Sequence, residues 1–175
     1  VRIAKKILSL LLQFGNHVHF VCDTYQSPSI KDTEHVNREC SPTEIDYNIS
    51  GPEQKRSKDF TTALKSGKFK TSLLRFLEVE WGNSKYVDLL HGHSLTIGLD
   101  MRAFNYQVFN GGIQKQEVVS LACTHEEADT RVVWHLKHIS QELQKNSNIV
   151  VRANDTDILV ILLYHSRNLQ AQIVR

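Results

Sequence analysis

The chain has 175 residues, 41% of them hydrophobic and 23% charged, a balance that excludes a disordered, collagen-like or coiled-coil protein and leaves room for one ordinary domain. Lys and Arg number 21 against 19 Asp and Glu, so the formal charge of +2 does not by itself assign a polyanionic partner. No apolar run approaches the roughly 18 to 20 residues needed to cross a bilayer, and no membrane partner is expected.

Val1, Ile3, Ala4, Ile7, Leu8, Leu11 and Leu12 recur at three- and four-residue spacing, so the spacing predicts a largely buried helix over 1–14, with Gly15 as its stop. His17 to Cys22 (HVHFVC) is β-branched and aromatic and reads as a strand, placing Asp23 at its carboxyl end. TYQSPS is loop chemistry, and Lys31 to Arg38 can form a short polar helix. Residues 41–59 carry Pro42, Gly51 and Pro52 with few large apolar side chains, the composition of an exposed, mobile insertion. Phe60 to Ala63 and Thr71 to Trp81 have helical periodicity. SLTIG, FNYQVF and EVVSLAC read as short strands separated by turn residues, including Gly111 and Gly112.

Glu126 opens a helix of about 20 residues whose inner stripe includes Ala128, Val132 and Leu136. NIVVRA (148–153) follows as a buried strand, then Asn154, Asp155, Thr156 and Asp157, then the apolar run Ile158 to Tyr164. Strands alternating with helices, with acids at the strand ends, predict an α/β fold. Its central sheet should be mostly parallel, include 17–22, 118–123 and 148–153, and carry helices on both faces.

Cys22, Cys40 and Cys123 are odd in number and lack a CxxC pair, which fits a reducing, intracellular compartment better than a disulfide framework. The acids are more informative. Mg²⁺ and Mn²⁺ are held by a few carboxylates plus water and phosphate oxygens, and two such ions suit phosphodiester cleavage. Carboxylates gathered on one rim of a sheet would meet that demand. Each group also has a simpler account: acids favour a helix's first turn, and Asp caps turns.

Seen together, HFVCD with SPSIK behind it, HEEADTRVVWHL and NIVVRANDTDILV resemble three motifs of the PIN-like nucleases of the flap-endonuclease and XPG-type branch, close to transposon-associated proteins with EEADTR and DTD signatures. The resemblance implies a three-layer PIN-like domain, truncated at both ends of 1–175, that hydrolyses nucleic acid with Mg²⁺ (or Mn²⁺). It implies that Asp23, Glu127, Asp129, Asp155 and Asp157 are metal ligands, with Glu126 a second choice, and that Lys31 and Arg38 steady the scissile phosphate. Lys31 and Arg38 are seven residues apart, two turns along one helical face, so both can reach one phosphodiester backbone. The implied partner is nucleic acid, DNA ahead of RNA, and the implied location is nuclear. The family's early strand ending in Asp, its later Asp and its duplex-binding helix-turn-helix are not found here, and residues 60–122 match no part of it.

Other readings compete. A transposon-derived domain that has lost catalysis could bind nucleic acid or protein without cutting. Asp155-Thr156-Asp157 also resembles the nucleophile loop of haloacid-dehalogenase phosphatases, where the first Asp attacks phosphate and the second acts as acid and base. Only 18 residues follow Asp157, too few for the other motifs such enzymes need. A zinc reading finds its best set in Cys123, His125, His135 and His138, but the Cys-x-His pair has no second cysteine, and core or surface histidines fit better. Trp81 and Trp134 lie on apolar helical stripes and read as core rather than as base-stacking platforms.

Overall fold

The computed structural model describes residues 2–24, 48–55, 59–142, 148–153, 155–165 and 172–174. The element order is α1 (Arg2–Leu12), β1 (His17–Val21), α2 (Phe60–Ala63), α3 (Gly67–Glu80), a 3₁₀ turn (Ser84–Tyr86), α4 (Val87–Leu90), β2 (Ser94–Leu99), β3 (Arg102–Phe109) and β4 (Gly112–Glu117). A second 3₁₀ turn (Val119–Leu121), α5 (Ala128–Glu142), β5 (Asn148–Val150), α6 (Thr156–His165) and β6 (Gln172–Val174) complete it. Helices combine with a four-stranded mixed sheet, so the fold is α/β.

That sheet runs in the order β1-β2-β3-β4, with β1 parallel to β2 and the other two pairings antiparallel. The expectation of a mostly parallel central sheet is therefore corrected. The reason lies in the loops. β3 and β4 pair Phe109 with Gly112 across Asn110-Gly111, both at positive φ (49° and 76°), a tight hairpin that only antiparallel strands can use. Asp100, at φ 51°, opens the equally short turn between β2 and β3.

Two further strand expectations shift. Residues 118–123 are not a strand, because the fourth strand is Gly112–Glu117 and the chain then turns; Val118 and Cys123 donate their amides to the Ala103 and Met101 carbonyls, while Leu121 is buried. Residues 148–150 do form a strand, but β5 pairs in parallel with β6 as a separate two-stranded sheet joined through α6. The apolar run 158–164 supplies that crossover helix.

Alternation along the strands sorts the two faces of the main sheet. Val18, Leu95, Ile97 and Leu99 join Ala4 and Leu8 of α1 and Phe69, Leu73 and Leu77 of α3 in one core, where Trp81 is fully buried and donates its indole N–H to the Ala4 carbonyl. On β1 and β2 the residues in between include His19 and Gly98, which meet α5. Ser66 caps α3, which begins at Gly67 rather than at Thr71. Of the insertion expected at 41–59, residues 48–55 and Asp59 are described; Ile49 packs on the main core and its amide bonds to Ser72 Oγ. A smaller cluster of Leu136, Ile158 and Leu162 joins α5 to α6.

Gly98 permits the close approach of α5. A Cβ there would stand 3.0 Å from His135 Nε2 and 3.3 Å from Arg131 Nη2. The imidazole cannot simply back away, because its other nitrogen is against His19. Gly98→Ala is therefore expected to cost about 1–3 kcal/mol, read as a lower urea midpoint. An unchanged midpoint would show that α5 is not seated on this glycine.

Candidate active site at the end of strand β1

The carboxyl end of β1 is laced to the start of α5. Asp23 Oδ1 accepts the Ala128 amide at 2.8 Å, and the Thr24 amide donates to the Glu126 carbonyl at 2.8 Å. The first N–H groups of a helix lack intrahelical partners, so a carboxylate placed there satisfies one of them and meets the positive end of the helix dipole. Asp23 is thus not an ordinary turn residue. It fixes the helix that bears Asp129 against the strand.

Arg131 locks the same junction from inside. It is fully buried, and its guanidinium donates to Thr24 Oγ1 (2.6 Å), to the Asp100 carbonyl, to the Cys22 carbonyl (3.5 Å) and to the Arg102 carbonyl (3.4 Å). Thr24 Oγ1 in turn donates to the Asp100 carbonyl. One side chain thereby ties the end of β1, the turn between β2 and β3 and the first turns of α5. The EEADTR motif contains this arginine, but a charged residue on a helix ordinarily lies at the surface, so sequence reasoning gave it no role.

The implied ligands gather around Asp129. Its pKa is raised, by burial first and then by the charges of Asp155, Asp23, Glu127 and Asp157. Four carboxylates from three separate stretches of chain are near enough to resist its ionisation. Asp155 also accepts the Asp157 amide at 3.0 Å and so caps α6, with Asp157 in that helix's first turn; both are exposed. Capping accounts for Asp23 and Asp155 taken singly, but not for the convergence of five negative charges. Glu126 enters the junction through its backbone carbonyl. Lys31 and Arg38 lie outside the described residues.

All five donors are carboxylates, hard oxygen ligands that suit Mg²⁺ or Mn²⁺ in place of a thiophilic ion. Among the described residues no three His, Cys, Asp or Glu side chains stand close enough to hold an ion as they are. The chemistry of the set fits the cation, and the carboxylates would have to draw together around it. The alternative zinc set disperses: His135 bonds to His19, His138 Nε2 pairs with Glu142 at 3.3 Å, and His125 lines a groove beside Trp134.

No family model matches the chain, and neither a curated protein nor a solved structure matches it. Among the described residues no helix is long and apolar enough to cross a membrane.

One aromatic reading is corrected. Trp81 is core, but Trp134 is 37% exposed and donates its indole N–H to the Ser120 carbonyl at 3.2 Å. The helical stripe that includes it is only partly covered, since α6 reaches Leu136 and leaves the indole at the edge.

Proposed function

We propose that this chain is a three-layer PIN-like nuclease domain of the flap-endonuclease type that hydrolyses phosphodiester bonds in nucleic acid with Mg²⁺ or Mn²⁺. The observation that carries the reading is the raised pKa of Asp129, by burial first and then by the charges of Asp155, Asp23, Glu127 and Asp157, the same five acids that the motif resemblance selects. Such a cluster is costly to maintain without a cation, and functional sites are where that cost is tolerated. When bound, the ions would activate a water and neutralise charge on the phosphate being cleaved. The chain's own part is to hold the carboxylates: Asp23 through the Ala128 amide, Asp129 through the Arg131 junction, and Asp155 through the first turn of α6. Lys31 and Arg38 would contact the phosphate.

Metal binding by the folded state alone is expected to raise stability, by about 2.7 kcal/mol when Mn²⁺ stands a hundredfold above its Kd. Asp129→Asn should remove that gain and, by relieving repulsion, raise the melting midpoint of the metal-free protein. Asp155→Asn should abolish metal-dependent cleavage of flap, single-stranded and duplex substrates while leaving the circular dichroism spectrum intact. A protein that Mn²⁺ neither stabilises nor activates would overturn the reading. It would favour a domain that binds without cutting.

A further inference from the structure

Between α5 and α6 lies a shallow groove of about 480 Å³, separate from the acids but beginning beside them. Thr130, next to Asp129, and Ile161, one turn after Asp157, both line it. Val133 and Ile161 give it an apolar floor, and Trp134 presents a partly exposed ring whose N–H is already committed to Ser120. Lys137 and His165 line it further along the two helices, and the Lys137 Nζ lies 5.9 Å from the Trp134 ring centroid.

We infer that this groove binds an unpaired nucleotide of a single-stranded nucleic acid, its base stacked on Trp134 and its phosphate held by Lys137. The inference rests on the nuclease reading for the identity of the polymer. Its own support is the juxtaposition of a fixed, flat aromatic, an apolar floor and a cation within reach of the same ring. Bases of every kind offer a π-face, so an aromatic platform beside a cation takes a strand without reading its sequence. Charge complementarity favours a polyanion over an apolar peptide, because Lys137 lines the groove and none of its described lining residues is acidic. Continuity with the acids gives the strand a direction: a base seated at Trp134 leaves the neighbouring phosphates toward Asp129 and Asp157. A base held in a duplex cannot enter, which makes the site selective for flaps, gaps or free single strands.

The test uses intrinsic fluorescence of the full chain with an oligothymidylate of about twelve nucleotides, in EDTA so that no cleavage occurs. The chain has two tryptophans and Trp81 is fully buried, so a change on binding reports Trp134 directly. Saturable quenching by the oligothymidylate, and none by a blunt duplex of the same length, is expected. Trp134→Ala should abolish the quench and weaken binding about tenfold or more. Trp134→Phe, which keeps a stacking face and fills the position, should retain most of the affinity. Lys137→Ala, at an exposed position, should lower the magnitude of the salt slope by about 0.7. Absence of quenching, unchanged affinity in both Trp134→Ala and Lys137→Ala, or saturation by an apolar peptide instead of the oligonucleotide would overturn the inference. Quenching in a protein that Mn²⁺ neither stabilises nor activates would remove the nuclease reading and leave the groove standing; Mn²⁺ stabilisation without quenching would do the reverse.

Discussion

Arg131→Met is expected to lower the unfolding free energy by about 3 kcal/mol or more, measured by urea denaturation at neutral pH. The substitution roughly preserves side-chain volume, so the loss isolates the guanidinium. Four oxygens, the Cys22, Asp100 and Arg102 carbonyls and Thr24 Oγ1, receive hydrogen bonds from it in a place without solvent. Each acceptor left unsatisfied in a buried setting costs about 1–3 kcal/mol. Against this stands the relief of not burying a charge, which in other proteins makes replacement of buried ion pairs neutral or stabilising. Here the loss is larger, because the guanidinium is weakly hydrated to begin with and spreads its charge over acceptors on three segments, although the Asp100 carbonyl keeps a second donor in Thr24 Oγ1. Arg131→Lys should recover only a minor part, since a single ammonium cannot span the end of β1 and the turn at Asp100 together. Stability equal to the parent in the Met variant would show that the junction is held by backbone contacts alone.

The junction also shows what the sequence made legible. β1 is five residues of β-branched and aromatic character followed by an acid, and both the strand and the position of Asp23 were readable. The start of α5 was readable to within two residues, because EEADT is first-turn chemistry whatever else it does. β4 was not, since an edge strand facing solvent has no inner face to pattern: GIQKQE holds one large apolar residue, and the β-branched VVSLA beyond it was the stronger but wrong signal. Antiparallel pairing then followed from a turn, Asn110-Gly111, whose hairpin geometry outweighs the alternation of strands and helices along the chain. Arg131 escaped notice, and His135 reads from sequence only as a zinc ligand or a core or surface histidine, for a shared reason. Each is a polar residue on the inner stripe of a helix, and its role depends on partners 29 to 116 residues away that no local pattern names.

That inner stripe makes the protein sensitive to acid. His19 and His135 face each other with Nδ1 atoms 2.9 Å apart, and the rings meet edge to face at 88°. One nitrogen must donate and the other accept, so the contact exists only while at least one ring is neutral. The pKa of His19 is lowered to about 4, by burial first and then by His138 and His17. That of His135 is lowered to about 3, by burial first and then by His19, Arg131 and His138. Both values lie below the 6.5 of an unfolded histidine, so between them the unfolded chain binds more protons and stability falls with falling pH. The contribution is fully present above about pH 6.5 and is lost, at roughly 1.4 kcal/mol per pH unit for each ring, as the pH falls toward 4. Asp129 acts in the opposite sense, since its raised pKa removes stability as the pH rises past the ordinary carboxylate range. Urea midpoints measured between pH 7 and pH 5 should therefore drop by several kcal/mol equivalent in the parent. The slope should be markedly flatter in His135→Gln, which keeps a hydrogen-bonding side chain but cannot titrate there. Equal slopes in the parent and His135→Gln would place the acid sensitivity elsewhere. Because the pair ties β1 to α5, and α5 carries Asp129 with Glu127 just before its start, loss of the pair should carry the candidate metal site with it: Mn²⁺ stabilisation should vanish near pH 5 in the parent sooner than carboxylate protonation alone would require.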